Sequence, residues 1–355
     1  SEKNVNNFLE DLYQKALPAA KKEWEELVSY AKKNLNLDQI EKWDTAYVSE
    51  KLKQAQLDLD EQLLKPYFSL EKVKLGLFEI VGKLYGLSFK KNNDIQVYHN
   101  EVEVYEVFNS DGHFHALLYT DFFPREGKRN GAWMTSFRSQ KKGQRPHVSI
   151  VCNFSKPTAS LPSLLTFQEV TTLFHEFGHA LHGILSETTY RALSGTSVYW
   201  DFVELPSQIM ENWCYEKKAL KLFAKHYKTN EIIPMEYIKK IEKVAHFQQG
   251  LQTLRQLGFA FLDLSYHDKK ANEIKDVKNH EKEILDRVQF LSDYPENCTS
   301  TAFSHIFQGG YSAGYYSYKW AEVLDADAFE LFLEKGVFDL ETSKSFKENI
   351  LSKGG

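Results

Sequence analysis

The sequence predicts a mainly α-helical protein with a small β-sheet, which is an α+β fold. Apolar residues recur at helical spacing over residues 1–90 and again over 166–355. Between these blocks, over about residues 94–155, apolar and polar residues alternate as they do in half-buried strands. The chain of 355 residues has no internal repeat and no linker rich in Pro, Ser or Gly. We therefore expect a single domain over residues 1–355.

The first block predicts three helices. Phe8, Leu9 and Leu12 begin an apolar stripe with charged residues on the opposite face. Two more helices are expected over residues 40–64 and 70–85. Gly86 would end the third of these helices, followed by polar residues.

The middle block predicts strands joined by a tight turn. Val97, Val102, Val104 and Val107 alternate with polar residues, and further strands are expected over 115–122 and 148–154. The sequence Asn-Ser-Asp-Gly at 109–112 favours a hairpin turn, because Asp-Gly readily supplies a positive φ. We expect a small sheet between two helical blocks.

Composition and charge exclude several classes of protein. Lys and Arg total 44 and Asp and Glu total 49, so the net charge is −5 and gives no electrostatic basis for binding nucleic acid. The hydrophobic fraction of 42% excludes intrinsic disorder. No apolar run reaches the roughly 20 residues of a membrane span. Three widely spaced cysteines suit a reducing compartment, and we expect a cytoplasmic protein that binds neither nucleic acid nor membrane.

One segment carries a pattern of metal ligands. Thr166 and Glu169 form a capping-box pair that predicts the start of an amphipathic helix. His175 and His179 then lie one turn apart on one face, which is the spacing that two imidazoles need to share a zinc ion. Glu176 lies about 100° round the helix, where a carboxylate can take a proton from water.

The same spacing would occur by chance on a solvated helix face that carries two histidines. The capped, amphipathic surroundings of the motif favour the metal site over that alternative. Gly178 is an exception inside the motif, because glycine has poor helix propensity. A glycine at this position could admit the close approach of another backbone.

A catalytic zinc site needs a third protein ligand. The metzincin pattern would require Gly at position 182 and His at 185, but the sequence has His182 and Leu185. Residues 201–213 predict a second helix with Glu204, Gln208 and Glu211 on one face. One of these acidic groups could bind the metal while another orients a histidine; a merely hydrated acidic face is the alternative.

These segments resemble the thimet oligopeptidase family of zinc peptidases, in the branch of bacterial oligopeptidase A and peptidyl-dipeptidase. The segments that carry the resemblance are 175–182, 194–196, 201–208, 119–121, 125–128 and 131–133. The resemblance implies a zincin-type catalytic domain in which His175, His179 and Glu204 bind one Zn²⁺ per chain. It also implies that Glu176 is the general base.

A second constellation lies near residue 311. Tyr311, Tyr315 and Tyr318 would share one face of a helix, among three glycines. A neutral phenol can donate a hydrogen bond to an oxyanion, although an aromatic stripe is also typical of a core. The resemblance implies that this loop faces the zinc, and that His305, Tyr311 and Tyr318 bind substrate and stabilise the transition state. Tyr315 is a weaker candidate.

The resemblance also implies what this chain lacks. Members of the family are longer, with N-terminal helices that form one wall of a channel and with further C-terminal helices. We therefore expect a catalytic-domain fragment of a channel-containing peptidase, without those N-terminal and C-terminal segments.

The expected activity is zinc-dependent hydrolysis of peptide bonds in short peptides. Release of C-terminal dipeptides is the alternative, because Arg125, Lys128, Arg138 and Arg145 are all cations that could capture a terminal carboxylate. An alternative of a different class is a non-catalytic peptide-binding protein.

Overall fold

The computed structural model describes residues 1–268 and 271–355. Helices dominate the described residues, and they are α1 Glu2–Leu35, α2 Thr45–Leu57, α3 Leu70–Tyr85, α4 Phe167–Leu185, α5 Leu205–Glu211, α6 Lys217–Phe223, α7 Met235–Val244, α8 Gln249–His267, α9 Val277–Leu285, α10 Ser304–Phe307, α11 Ser317–Lys335 and α12 Leu340–Phe346. The strands are β1 Ser88–Lys91, β2 Glu103–Phe108, β3 Phe114–Asp121, β4 Trp133–Arg138 and β5 His147–Val151. The predicted α+β class is confirmed.

The contacts divide the chain into two compact units. The helical unit consists of residues 1–59 and 240–320, and the sheet unit consists of residues 60–239 and 321–355. The single domain expected over 1–355 stays a prediction. No helix in the described ranges has both the length and the apolar character that a bilayer crossing requires.

The sheet unit is built on one mixed sheet. The strand order is β1-β2-β3-β5-β4, in which β3 and β5 are parallel and the other neighbours are antiparallel. Helix α4 packs against this sheet, and its buried apolar side chains include Val170, Leu173 and Phe177. Burial of this stripe fixes the rotation of α4, and therefore fixes which side carries the histidines.

The helical unit is built on the contact between α1 and α8. Leu9 and Ala20 of α1 share a buried core with Leu254 and Leu257 of α8. A Cβ at Gly250 would lie 2.5 Å from the main-chain nitrogen of Ala20, so glycine lets the two helices approach closely.

Several boundaries differ from the sequence-based expectation. The helix expected over 40–64 is shorter, because Asp58 at the end of α2 is left-handed (φ 47°) and two 3₁₀ turns follow it. Strands β1 and β4 were not expected, whereas Val97, which the alternation placed in a strand, lies between β1 and β2. The third helix is confirmed over residues 70–85, and it ends at Gly86 with φ 69°.

Candidate metal centre

The predicted capping box at the start of α4 is confirmed. The Thr166 hydroxyl accepts the main-chain N–H of Glu169 at 3.1 Å, and the Glu169 carboxylate accepts the N–H of Thr166 at 2.7 Å. This reciprocal pair fixes where the helix begins. It therefore also fixes the helical position of His175 and His179, nine and thirteen residues further along the chain.

The two histidines and Glu204 converge on one point. Oε2 of Glu204 lies 3.2 Å from Nε2 of His175 and 3.1 Å from Nε2 of His179. Ligand atoms at about 2.0–2.1 Å from a tetrahedral zinc ion are about 3.3 Å apart. The spacing of these donors therefore fits such an ion, and they form the His/Cys/Asp/Glu cluster found among the described residues.

The carboxylate of Glu204 is held from its own helix. Glu204 is the residue immediately before α5 and is 1% exposed. The hydroxyl of Ser207 donates a 2.7 Å hydrogen bond to Oε2 of Glu204 and also lies 2.9 Å from the Glu204 main-chain oxygen. Sequence reasoning missed Ser207, although its position three residues after Glu204 places it within reach in a first helical turn.

Gly178 lets the two ligand-bearing segments meet, as the sequence suggested. A Cβ at Gly178 would lie 2.1 Å from the carbonyl oxygen of Pro206 and 2.6 Å from Cα of Ser207. Both distances are far below a van der Waals contact. Only glycine at this position allows the backbone of α5 to touch α4, which brings Glu204 within reach of the histidines.

A second carboxylate orients His175. Oε1 of Glu211 lies 2.7 Å from Nδ1 of His175, on the side of the ring opposite Glu204. Carboxylate partners of this kind fix the tautomer and orientation of metal-binding histidines. The equivalent Nδ1 of His179 is buried and has no hydrogen-bond partner within the described part of the chain.

The electrostatics of the cluster favour positive charge at its centre. Burial alone would lower the pKa of His175, but the hydrogen bonds with Glu204 and Glu211 hold that pKa well above its usual range. Burial alone would raise the pKa of Glu204, but His179 and His175 hold it well below its usual range. A divalent cation satisfies the same charge balance, because it binds deprotonated imidazole and carboxylate.

Glu176 lies on the same helix, between the two histidines in sequence. Its side chain is buried, and burial raises the pKa of its carboxyl group. A raised pKa makes a carboxylate a stronger proton acceptor. His182, one turn beyond His179, is fully buried, and burial lowers its pKa to about 4, so this imidazole is neutral near pH 7.

Three of the four cations considered for carboxylate capture are already engaged. Arg125 makes two hydrogen bonds of 2.7 and 2.8 Å to the carboxylate of Asp121. Lys128 is almost fully buried and contacts the same carboxylate and the Cys152 carbonyl oxygen. Arg145 is turned towards main-chain oxygens, including that of Ile184 at the end of α4, at 2.6 Å.

The remaining candidate is Arg138 on strand β4. Its Nε donates to the main-chain oxygen of Arg145 at 3.2 Å. The side chain is partly exposed. Arg138 is thus the cation of the four that has the greatest freedom to meet a ligand.

The predicted tyrosine constellation lies in the helical unit. Residues 312–316 form turns and α11 begins only at Ser317, so the single helical face expected for the three tyrosines is wrong. The rings still cluster, because Tyr311 and Tyr318 stack with centroids 5.3 Å apart at 17°. Tyr315 is buried, whereas His305 is exposed and its ring centroid lies 6.2 Å from that of Tyr311.

The structure therefore places the predicted site residues in two groups. His175, Glu176, His179 and Glu204 belong to the sheet unit. The second group, in the helical unit, consists of His305, Tyr311 and Tyr318. The roles assigned to these residues stay predictions.

Comparison with known proteins identifies related sequences. The family model for peptidase family M3 matches residues 1–355. Oligopeptidase A from Escherichia coli is 42% identical over 358 residues, which cover 99% of this chain and 53% of that protein. Dipeptidyl carboxypeptidase from Escherichia coli is 38% identical over 353 residues, which cover 98% of this chain and 52% of that protein. Saccharolysin from Saccharomyces cerevisiae is 32% identical over 378 residues, which cover 99% of this chain and 52% of that protein.

These matches confirm the resemblance predicted from the motifs. They extend over nearly the whole of this chain. The chain spans about half the length of the curated relatives it matches.

Proposed function

Because this chain belongs to peptidase family M3, we propose that it is the catalytic part of a zinc metallopeptidase that hydrolyses peptide bonds in short peptides. The observation that carries the proposal is the convergence of two imidazoles on one carboxylate oxygen, because Nε2 of His175 and Nε2 of His179 lie 3.2 and 3.1 Å from Oε2 of Glu204. The buried carboxylate of Glu176 lies on α4, the helix that carries the two histidines.

We propose that His175, His179 and Glu204 hold one Zn²⁺ per chain. Two imidazole nitrogens and one carboxylate oxygen are a donor set typical of catalytic zinc, which keeps a further position for water or substrate. When bound, the ion would lower the pKa of water towards neutrality and polarise a carbonyl group. Glu211 would keep the imidazole of His175 in the tautomer that presents Nε2 to the metal.

In the proposed reaction Glu176 moves the proton. Its carboxylate takes a proton from the attacking water and later delivers it to the nitrogen of the leaving amine. The burial that raises the pKa of Glu176 favours the first transfer, because it makes the carboxylate a stronger proton acceptor. The hydroxyls of Tyr311 and Tyr318, with the imidazole of His305, would donate hydrogen bonds to the developing oxyanion.

We propose that the peptide backbone pairs with strand β4. Within the described residues β4 pairs with β5 on one side, at the end of the strand order. Met134 of this strand packs close to Gly183 of α4, so the strand runs beside the helix that carries the histidines. Strand addition uses main-chain hydrogen bonds and is therefore tolerant of peptide sequence.

Release of C-terminal dipeptides is the second candidate. A relative named dipeptidyl carboxypeptidase favours it, but Arg125, Lys128 and Arg145 are engaged in internal contacts. Internal cleavage is therefore our first choice. Digesting two peptides of equal length, one with a free and one with an amidated C-terminus, separates the candidates; equal rates support internal cleavage.

The experiment that tests the proposal combines metal analysis with peptide turnover. The full chain is purified without added metal and assayed on an internally quenched peptide, alongside Glu176→Gln and the surface variant Glu79→Gln. We expect one zinc per chain in all three proteins, a loss of turnover of at least about 100-fold in Glu176→Gln, and wild-type turnover in Glu79→Gln. Substantial turnover by Glu176→Gln would contradict the assignment of the base.

The same experiment separates an enzyme from a peptide-binding protein. A non-catalytic binder would bind the peptide with the same affinity before and after chelation of the metal, and would release no products. For the cell, we propose a cytoplasmic location, which is compatible with three unpaired cysteines. We also propose that segments present in the longer relatives complete the peptide channel.

A further inference from the structure

A buried carboxylate in the helical unit holds the segment that carries Tyr311 and Tyr315. Asp263 lies on α8 and is 0% exposed. Its Oδ1 accepts the main-chain N–H of Ala313 at 2.9 Å, and its Oδ2 accepts that of Tyr315 at 2.9 Å. Both oxygens of one carboxylate are thus directed at alternate residues of a single turn.

The carboxylate has an imidazole partner one turn further along α8. Nδ1 of His267 lies 2.9 Å from Oδ1 of Asp263 and 2.8 Å from the main-chain oxygen of Asp263. The imidazole is partly exposed, whereas the carboxylate is not. His267 can therefore help to hold the Asp263 carboxylate in position, through the same oxygen that accepts the N–H of Ala313.

The loop needs such an anchor because its own conformation is unfavourable. Gly310 has φ 90° and Ala313 has φ 54°, a region that L-residues other than glycine rarely adopt. A Cβ at Gly309 would lie 2.8 Å from the main-chain oxygen of His305. The segment thus has a tight turn at Gly309 and Gly310, and Asp263 accepts the main-chain N–H of the strained residue Ala313.

This anchor determines where the tyrosine rings lie. The main-chain N–H of Tyr315 donates to the Asp263 carboxylate, while the Tyr315 ring packs against Phe303 and its hydroxyl donates to Gln256 at 3.1 Å. With Tyr315 fixed, Tyr311 and Tyr318 on either side of it stack on each other. The buried Tyr315 therefore holds the partly exposed Tyr311 and Tyr318 in place, and their side chains can contact solvent or a ligand.

We propose that Asp263, together with His267, is a positioning residue that holds Tyr311 and Tyr318 in the arrangement required for transition-state stabilisation. The inference rests on the proposed peptidase function. Asp263 does not touch the substrate in this scheme; it acts through the main chain of residues 313 and 315. Its loss should therefore affect the reaction rate more than substrate binding.

The test uses Asp263→Asn in the full chain and measures two quantities. The first is hydrogen–deuterium exchange in the peptide spanning residues 308–316. Hydrogen bonds to a charged group are strong, so we expect exchange there to become roughly 10- to 100-fold faster. The second is peptide hydrolysis, for which we expect kcat to fall about tenfold or more while KM changes by less than about threefold.

A matched control makes the same chemical change elsewhere. Asp276 caps α9 and accepts the N–H of Asn279 at 3.1 Å. Asp276→Asn should leave both exchange at 308–316 and kcat unchanged, because asparagine is an equally good N-cap residue. In a Tyr318→Phe background, Asp263→Asn should add little further loss of kcat, because both changes act on the same group.

The two measurements distinguish anchoring of residues 308–316 by Asp263 from a role of that anchoring in the reaction. Unchanged exchange at 308–316 in Asp263→Asn would overturn the anchor, and faster exchange with unchanged kcat would overturn its role in the reaction. If the wild-type chain does not hydrolyse peptides, the proposed function fails, and exchange alone then decides the anchor. Should Asp263→Asn not fold, His267→Gln retains the carboxylate and removes its imidazole partner, and the same measurements apply with smaller expected changes.

Discussion

A single methyl group at position 178 should separate the two halves of the metal centre. In Gly178→Ala the new Cβ would lie 2.1 Å from the Pro206 carbonyl oxygen. An ordinary carbon–oxygen contact is longer by about 1 Å, so the start of α5 must move away from α4 by roughly that distance. Glu204 precedes Pro206 by two residues, and its carboxylate would move with it.

The consequence for metal binding follows from the narrow tolerance of coordination bonds. Ligand distances vary by only about 0.2 Å in real sites, so a displacement of about 1 Å leaves two histidines without their carboxylate. We expect zinc affinity to fall at least about 100-fold. The effect on folding should be smaller, because overpacking costs about 1–3 kcal/mol and alanine regains about 1 kcal/mol of helix propensity.

The assay is zinc binding by the metal-free protein in competition with a chelator of known affinity, together with thermal unfolding. Ala180→Gly is the matched control on the same helix, because it removes a buried methyl group instead of adding one. It should lower stability by about 1 kcal/mol or more and leave zinc affinity unchanged. Gly178→Ala protein that folds and binds zinc within about threefold of wild type would refute the reasoning.

Other parts of the sheet unit give further predictions. Glu211→Gln weakens orientation of His175 and should lower zinc affinity about 10- to 100-fold in the same competition assay, with little change in Tm. Ser207→Ala removes the hydroxyl that holds Glu204 and should lower zinc affinity by a smaller factor than Gly178→Ala, again measured by competition. Lys74→Met removes the buried ammonium group that lies 2.6 Å from the Glu103 carboxylate. It should lower the free energy of unfolding in urea by less than the about 3–5 kcal/mol of a buried charge left unpaired, because Lys91 and Tyr105 still contact Glu103. Burial would raise the pKa of Glu103, but hydrogen bonds led by that from Lys74 lower it to about 2 from its ordinary 4.5. The folded state therefore holds this proton less readily than the unfolded state, and stability on the order of 3 kcal/mol should be lost as the pH falls from about 4.5 to about 2. Glu103→Gln should remove that part of the pH dependence of unfolding; an unchanged slope would contradict it.

The elements that could be predicted from sequence are those whose signals are local. The capping box and apolar stripe define α4, and the helix over 70–85 ends at the expected glycine because left-handed backbone there needs no Cβ. Strand β4 was missed, because its sequence does not alternate and it is stabilised by pairing with β5. The parallel pairing of β3 with β5 depends on a crossover, which leaves no short-range pattern.

The same distinction applies to the site. His175 and His179 are four residues apart, so helical periodicity alone places them together. Glu204 lies on another element, and its choice over neighbouring acidic residues depended on the family resemblance. Asp263 gave no signal at all, because its partners are the main-chain N–H groups of residues 313 and 315, and main-chain groups are present in every sequence.

One residue in α4 did indicate a long-range contact. Gly178 lies inside a capped amphipathic helix, where it lowers helix stability by about 1 kcal/mol relative to alanine. Gly183, five residues later, is a second glycine inside α4. A Cβ at position 195 would lie 3.0 Å from Cα of Gly183. Both glycines thus mark places where other backbone reaches α4. Glycines inside a helix are therefore informative about tertiary contacts. A residue of poor helix propensity is found where a functional arrangement requires it.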